Sequence, residues 1–202
     1  MLKKLGFMLI LLAMTTTVSA DVKKTYYENG KLKYIRTYKF DVLDGPARAY
    51  YKNGKLKTQT TFRNGRLHGM TTGFYKSGRL KAEIPMYKGK SDGFEKEFYE
   101  NGQLRSITKF RNGLKVGTKK VYYPNGNLKA KIHFNDMGQL DGTTQEYYAN
   151  GNKKFSVRMT EGFVRDGYIY ERDGNRRKMN AEDYDKLGLN KHYDRLNRIS
   201  SY

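Results

Sequence analysis

One short pattern recurs six times along this 202-residue chain: an aromatic pair, a turn, a leucine, then a later aromatic. The first copy reads Tyr26-Tyr27-Glu28-Asn29-Gly30-Lys31-Leu32, and its turn glycine returns as Gly54, Gly78, Gly102, Gly126 and Gly151. The steps are therefore 24, 24, 24, 24 and 25 residues, and a degenerate seventh copy ends in Asp173-Gly174. A fixed period of this length marks a repeat array, in which one unit cannot bury its apolar side alone and neighbours must stack. It also directs the functional expectation toward an extended binding surface and away from a catalytic pocket.

Each unit contains two strand-like runs and two turns. Asn-Gly between alternating apolar runs, replaced by Ser77-Gly78 in the third unit, is a strong hairpin signal because both residues tolerate positive φ. The second turn closes at Gly45, Gly69, Gly93, Gly117, Gly142 and Gly167, often after a further pair such as Asn64-Gly65 or Asn112-Gly113. The predicted fold is all-β, a repeat array of antiparallel β-hairpins over residues 21–176 forming one extended meander sheet. From Asn180 the spacing of Tyr184, Leu187, Tyr193, Leu196 and Ile199 turns helical, so residues 177–202 read as a short C-terminal helical cap with Asn180 as N-cap. Such a cap covers an end that would otherwise pair with another chain. The N-terminal edge near Asp21 has no equivalent cover.

Side chains alternate between faces along a strand. With turns of two or four residues, the leucine two places after each turn glycine, the aromatic eight places after it and the second aromatic of each pair share a core face. The first aromatic and the cation three places after the glycine then meet on the other face. Those pairs are Tyr26 with Lys33, Tyr50 with Lys57, Phe74 with Lys81, Phe98 with Arg105, Tyr122 with Lys129 and Tyr147 with Lys154. They form the candidate binding face, a basic and aromatic ribbon repeating about every 10 Å. Stacking, charge and cation–π contact suit such a ribbon to an acidic polymer or acidic partner. The alternative is structural, since cross-strand pairs of this kind stabilise an exposed sheet by about 0.2–1 kcal/mol each.

Lys3 and Lys4, the apolar run Leu5 to Met14 and the small residues Val18-Ser19-Ala20 read as a secretory signal peptide, residues 1–20, too short to span a membrane. The protein is then exported to a bacterial periplasm, cell surface or medium, with no transmembrane segment after cleavage. The chain has no cysteine, which rules out disulfides and a lipoprotein anchor. Cleavage removes two lysines and no acid, so the net charge falls from +20 to +18. That charge favours an acidic protein, an anionic polysaccharide or lipid head groups; an exported protein seldom meets nucleic acid. It also serves solubility alone.

Catalytic chemistry is not legible. His68 stands in a turn slot that Asp44, Asp92 and Asp141 fill in sister units, His133 lies on a strand and His192 in the C-terminal region. No metal-ligand spacing, nucleophile motif or phosphate loop occurs, so no cofactor, metal or catalytic residue is assigned.

The units, most cleanly Tyr51-Lys52-Asn53-Gly54-Lys55-Leu56 followed by Phe62-Arg63-Asn64-Gly65-Arg66-Leu67-His68-Gly69, resemble the bacterial variant of the MORN repeat, in the set labelled YwqK-type antitoxins. The resemblance spans about residues 26–174. It implies a non-catalytic hairpin-repeat sheet that binds a protein, in an antitoxin or immunity-like role, or associates with acidic lipid. Where such units often carry a tryptophan ahead of the aromatic pair, this chain has Arg48, Thr72, Lys96, Lys120 and Gln145. The leading expectation is an exported, non-enzymatic protein that binds a protein partner through its sheet. The alternative is a module for acidic envelope polymers or anionic lipid head groups.

Overall fold

The structure, a computed structural model, describes residues 20–171 and 173–189. Nearly all of the expected signal peptide, together with Tyr193, Leu196 and Ile199, lies outside the described residues. Fifteen strands form one antiparallel sheet. The first six are β1 (Asp21–Tyr26), β2 (Leu32–Lys39), β3 (Val42–Tyr50), β4 (Leu56–Arg63), β5 (Arg66–Phe74) and β6 (Leu80–Tyr87). A two-residue β7 (Lys90–Ser91) pairs only with β6. Then follow β8 (Gly93–Phe98), β9 (Leu104–Arg111), β10 (Leu114–Tyr122), β11 (Leu128–Phe134), β12 (Gly142–Tyr147), β13 (Lys153–Thr160), β14 (Phe163–Tyr170) and β15 (Arg176–Lys178). Apart from β7, strand order is sequence order, as the meander reading requires.

The two turns of each unit differ in kind. At the first, Tyr27 N–H donates to Lys31 C=O (2.8 Å) and Gly30 N–H to Tyr27 C=O (2.9 Å), enclosing a three-residue loop. Only the glycine takes positive φ there, 76° at Gly30; Asn29, Asn53, Asn101, Asn125 and Asn150 do not. The asparagine has another task. Its side-chain oxygen accepts the N–H two residues on, as Asn53 does from Lys55 (3.1 Å), and its amide donates to the next unit's turn, Asn53 to Lys76 C=O (3.0 Å). Two-residue turns with positive φ at both positions occur instead at the second turn, as in Asn64-Gly65 (48° and 73°) and Asn112-Gly113 (52° and 86°). The extra residue of the fifth unit makes Asn135–Gln139 a loop of the first kind.

An odd loop shifts pairing by one residue, and a bulge compensates for it. Tyr26 lies opposite Leu32, while Thr25 lies opposite Tyr34, which leaves Lys33 as the extra residue. Tyr50, Phe74, Phe98, Tyr122 and Tyr147 repeat this arrangement against Leu56, Leu80, Leu104, Leu128 and Lys153. Beyond the bulge the register is the one that a two-residue turn would have set.

Most of the sheet has no second layer. Its units are stitched instead at both edges. The second tyrosine of each pair crosses a strand and donates its hydroxyl to the backbone carbonyl of the next unit's first aromatic. Tyr27 reaches Tyr50, Tyr51 reaches Phe74, Tyr75 reaches Phe98 and Tyr99 reaches Tyr122 at 2.7 Å, and Tyr123 reaches Tyr147 at 2.8 Å. At the opposite edge, turn glycines donate backward: Gly65 to Leu43, Gly89 to Leu67 and Gly113 to Ser91, each at 2.8 Å.

Among the described residues a compact apolar cluster forms at the C-terminal end. Phe155, Val157, Met159 and Val164 are covered by Met179 and by Tyr184 of the helix α1 (Ala181–Lys186). Gly167 leaves the space, because a Cβ there would stand 2.6 Å from Met179 Sδ and 3.0 Å from the Tyr184 hydroxyl. Asn180 caps α1 as predicted: its side chain accepts the Asp183 N–H (3.0 Å) while Asp183 accepts the Asn180 N–H (2.9 Å). Arg177 clamps the same carboxylate with two bonds, 2.6 and 2.9 Å.

Two outcomes follow for stability. Tyr75→Phe removes one stitch and lowers unfolding stability by about 1 kcal/mol, read as a lower urea midpoint at unchanged slope. The Arg177 guanidinium, and next the Asn180 N–H, hold the Asp183 carboxyl at about 2, below its ordinary 3.8. Its folded pKa is depressed, so this contribution is complete above the unfolded value and is lost as pH falls from about 4 to about 2. Hydrogen-exchange protection factors at Met179 and Tyr184, corrected for the intrinsic rate at each pH, should fall across that window in the native chain and lose that dependence in Asp183→Asn.

Candidate functional site

Directly opposed residues in an antiparallel pair share a face. On the unbulged strand Ala49 and Tyr50 alternate, so Leu56, opposite Tyr50, and Thr58, opposite Ala49, lie on opposite faces. Thr58, Thr60 and Phe62 follow on the Ala49 side. Tracing the register to β13 puts Glu97, Val121, Ala130, Glu146 and Phe155 on that same face, the one that α1 covers.

The second and later aromatics therefore share a face, as the sequence implies, and the first aromatics point the other way. The leucine and the cation flanking the bulge exchange places. Tyr26, Tyr50, Phe74, Phe98, Tyr122 and Tyr147 sit with the leucine, or with Lys153 in the last unit. Lys33, Lys57, Lys81, Arg105, Lys129 and Lys154 turn to the face of the second tyrosine. The predicted pairings of Tyr26 with Lys33 and of their five sister pairs do not form. The odd loop brings the first aromatic opposite the leucine, and the bulge swings the cation away from it.

The pairs that do form use the stitching tyrosines. The ammonium groups of Lys33, Lys57, Lys81, Lys129 and Lys154 stand 5.5, 5.8, 5.7, 5.5 and 6.0 Å from the ring centres of Tyr27, Tyr51, Tyr75, Tyr123 and Tyr148. Tyr27, Tyr51, Tyr75 and Tyr123 thus each fix the fold through the hydroxyl and present a cation over the ring. Arg105 lies 3.4 Å from Glu97, and Lys154 donates to Glu146 at 3.0 Å. Lys33, Lys57, Lys81 and Lys129 make no ion pair with any described residue.

Between the tyrosine row and the row Phe62, Met86, Phe110 and Phe134, strands β3 to β6 give this face mostly small side chains, Ala47, Ala49, Thr58, Thr60, Thr71, Gly73 and Ala82, with Ile84 beside Thr71 and with Tyr34 and Arg36 bordering them on β2. Farther on, the equivalent positions carry Glu95 with Glu97, Lys119 with Val121, and Thr144 with Glu146. Glu97 accepts from Ser106 (2.8 Å), and burial first, then the Glu97 charge, raises the Glu95 carboxyl above its ordinary range. The signal for the acids was available in the sequence: the position that faces the bulged cation reads Ala49, Gly73, Glu97, Val121 and Glu146 along the repeats, acidic only beside Arg105 and Lys154.

Among the described residues no three His, Asp or Glu side chains cluster as metal ligands, and no helix is long and apolar enough to cross a membrane. Residues 22–40, 43–64, 92–112, 115–136 and 140–157 match the sequence pattern of the MORN repeat variant, together just over half of the chain. Residues 65–91 fall in a gap between matched stretches. No curated protein matches the chain.

The Glu146 hydrogen bond is the largest cause raising the Lys154 ammonium above the ordinary lysine range, against a smaller opposing effect of burial. In Glu146→Gln the Lys154 pKa should fall toward that ordinary range, measured by side-chain NMR titration.

Proposed function

Because the chain belongs to the MORN repeat variant family, a non-catalytic type of binding repeat, we propose that it is an exported binding protein whose sheet holds an acidic protein partner. The observation that carries this reading is the division of one face. Its C-terminal end is closed by the chain's own helix, with Tyr184 seated on Val157 and Val164. Its first half continues the same face uncovered, with a floor of small residues and with Lys33, Lys57 and Lys81 lacking acidic partners. A partner segment with an apolar side and flanking carboxylates fits that surface as α1 fits its end. Inhibitory binding of the immunity type is the form of this activity that the antitoxin resemblance favours.

The repeated unpaired cations also support a second reading, in which the face lies along an acidic polysaccharide or anionic head groups. Salt separates the two. At 1 M salt the screening length is about 3 Å, and purely polyelectrolyte contacts are lost. Immobilised mature protein exposed to envelope extract should retain one stoichiometric protein in that salt. Loss of all bound material in moderate salt contradicts the protein-partner reading. Ala49→Glu gives a sharper check, because it places beside Lys57 the acid that already neutralises Arg105 in the fourth unit. The variant should fold normally and bind the captured partner about tenfold more weakly, equivalent to ~1.4 kcal/mol. Charge reversal at Lys57 and Lys81 should weaken binding further.

A further inference from the structure

The second and third units together carry a second, different feature on the opposite face. In the sister units Asp44 accepts the Asn64 N–H (3.5 Å) and Asp92 accepts the Asn112 N–H (3.0 Å), each 20 residues on. Between them His68, in the second unit, replaces the aspartate and Lys88, in the third, replaces the asparagine. Lys88 occupies the left-handed region at φ 49°, where asparagine is the better residue. The two substitutions meet in space: the His68 and Tyr87 rings lie 5.4 Å apart, and Lys88 Nζ stands 5.2 Å from the Tyr87 ring centre.

Beside them, Arg63 and Arg66 oppose each other directly across the Asn64-Gly65 turn. Like charges in that position destabilise a strand pair. The corresponding positions elsewhere hold Lys39 with Val42, Tyr87 with Lys90, and Arg111 with Leu114. Arg63, Arg66, His68, Tyr87 and Lys88, with Asn64, line a hollow of about 340 Å³. No carboxylate lines it. None of its cations makes an ion pair with a described residue, and Asp44 is engaged with the Asn64 N–H. Arg66, His68, Tyr87 and Lys88 also fall within residues 65–91, the stretch that the family pattern skips.

We propose that this hollow binds a tetrahedral oxyanion, a phosphate or sulfate group carried as a monoester. The guanidinium groups of two directly opposed arginines can match the oxygens of such a group, and Lys88 lines the same hollow. The anion relieves the Arg63–Arg66 repulsion that the fold otherwise carries uncompensated. The site lies on the face away from α1 and the Lys57 row, so it works independently of the partner surface.

The test is NMR titration of the full chain with inorganic phosphate and sulfate at fixed ionic strength. The expected result is saturable binding with shifts centred on residues 63–68 and 87–88. Weak, non-saturating shifts spread over all surface lysines would overturn the proposal. His68→Asp with Lys88→Asn restores the residues that the sister units use, so the fold is retained; the apparent affinity should fall at least tenfold. Unchanged affinity in that folded variant also overturns the site. Arg63→Ala with Arg66→Val provides a second variant with the same expectation. Glucose 6-phosphate and vesicles bearing phosphatidylinositol 4-phosphate then distinguish the source. Variant-sensitive binding to the sugar ester alone assigns a soluble ligand, variant-sensitive binding to the vesicles assigns a head group, and binding to neither rejects the monoester.

Discussion

The one-residue bulge after each first turn is the constraint on which the rest of the architecture depends. A three-residue loop alone would leave every later pair of the hairpin out of register and turn the strand's side chains to the wrong faces. The bulge at Lys33, Lys57, Lys81, Arg105, Lys129 and Lys154 restores register within two residues. The extra residue must also point somewhere. At Lys33, Lys57, Lys81 and Lys129 it points over the tyrosine whose hydroxyl ties its unit to the next, and at Arg105 and Lys154 it reaches a glutamate. Fold and surface chemistry therefore share an element: the side chain that makes the sheet continuous also positions the cation available to a partner.

This coupling explains how a sheet without a second layer holds together. The buried apolar cluster is confined to the C-terminal end, where α1 lies over β13 and β14. Upstream, cohesion comes from strand pairing and from bonds that skip a strand, tyrosine hydroxyls at one edge and turn glycines at the other. Each is worth about 1 kcal/mol, but they recur in nearly every unit and act between nearest neighbours, as in other repeat arrays. The price is exposure: β1 is solvent-facing throughout, with Lys23 and Lys24 as the charges that discourage edge pairing.

The architecture was readable because it depends on period and punctuation. The glycines at 24-residue steps placed every first turn, and Asn180 with Tyr184 marked the capping helix. The faces were readable except at the two positions of each unit that flank the bulge. Tyr27 and Tyr38 were placed together correctly, and Tyr26 opposite them, while Leu32 and Lys33 were exchanged. Parity alone cannot reveal that exchange, because the odd loop and the bulge cancel and the register beyond them is unchanged. The asparagine misled for a related reason. Asn-Gly signals a two-residue turn when asparagine is there for its backbone, yet Asn53 is there for its side chain, which bonds Lys55 and the next unit's Lys76. His68 read as a turn substitution because its companions Arg63, Arg66 and Lys88 are gathered only by the hairpin geometry.

The most direct test of this account is a set of NOEs from the Lys57 side chain in the folded protein. The bulge predicts contacts from its methylenes to the Tyr51 ring and none to the Tyr50 ring. Contacts to Tyr50 with none to Tyr51 would mean that the turns are two-residue loops without bulges, and the assignment of cations to the partner face would be wrong.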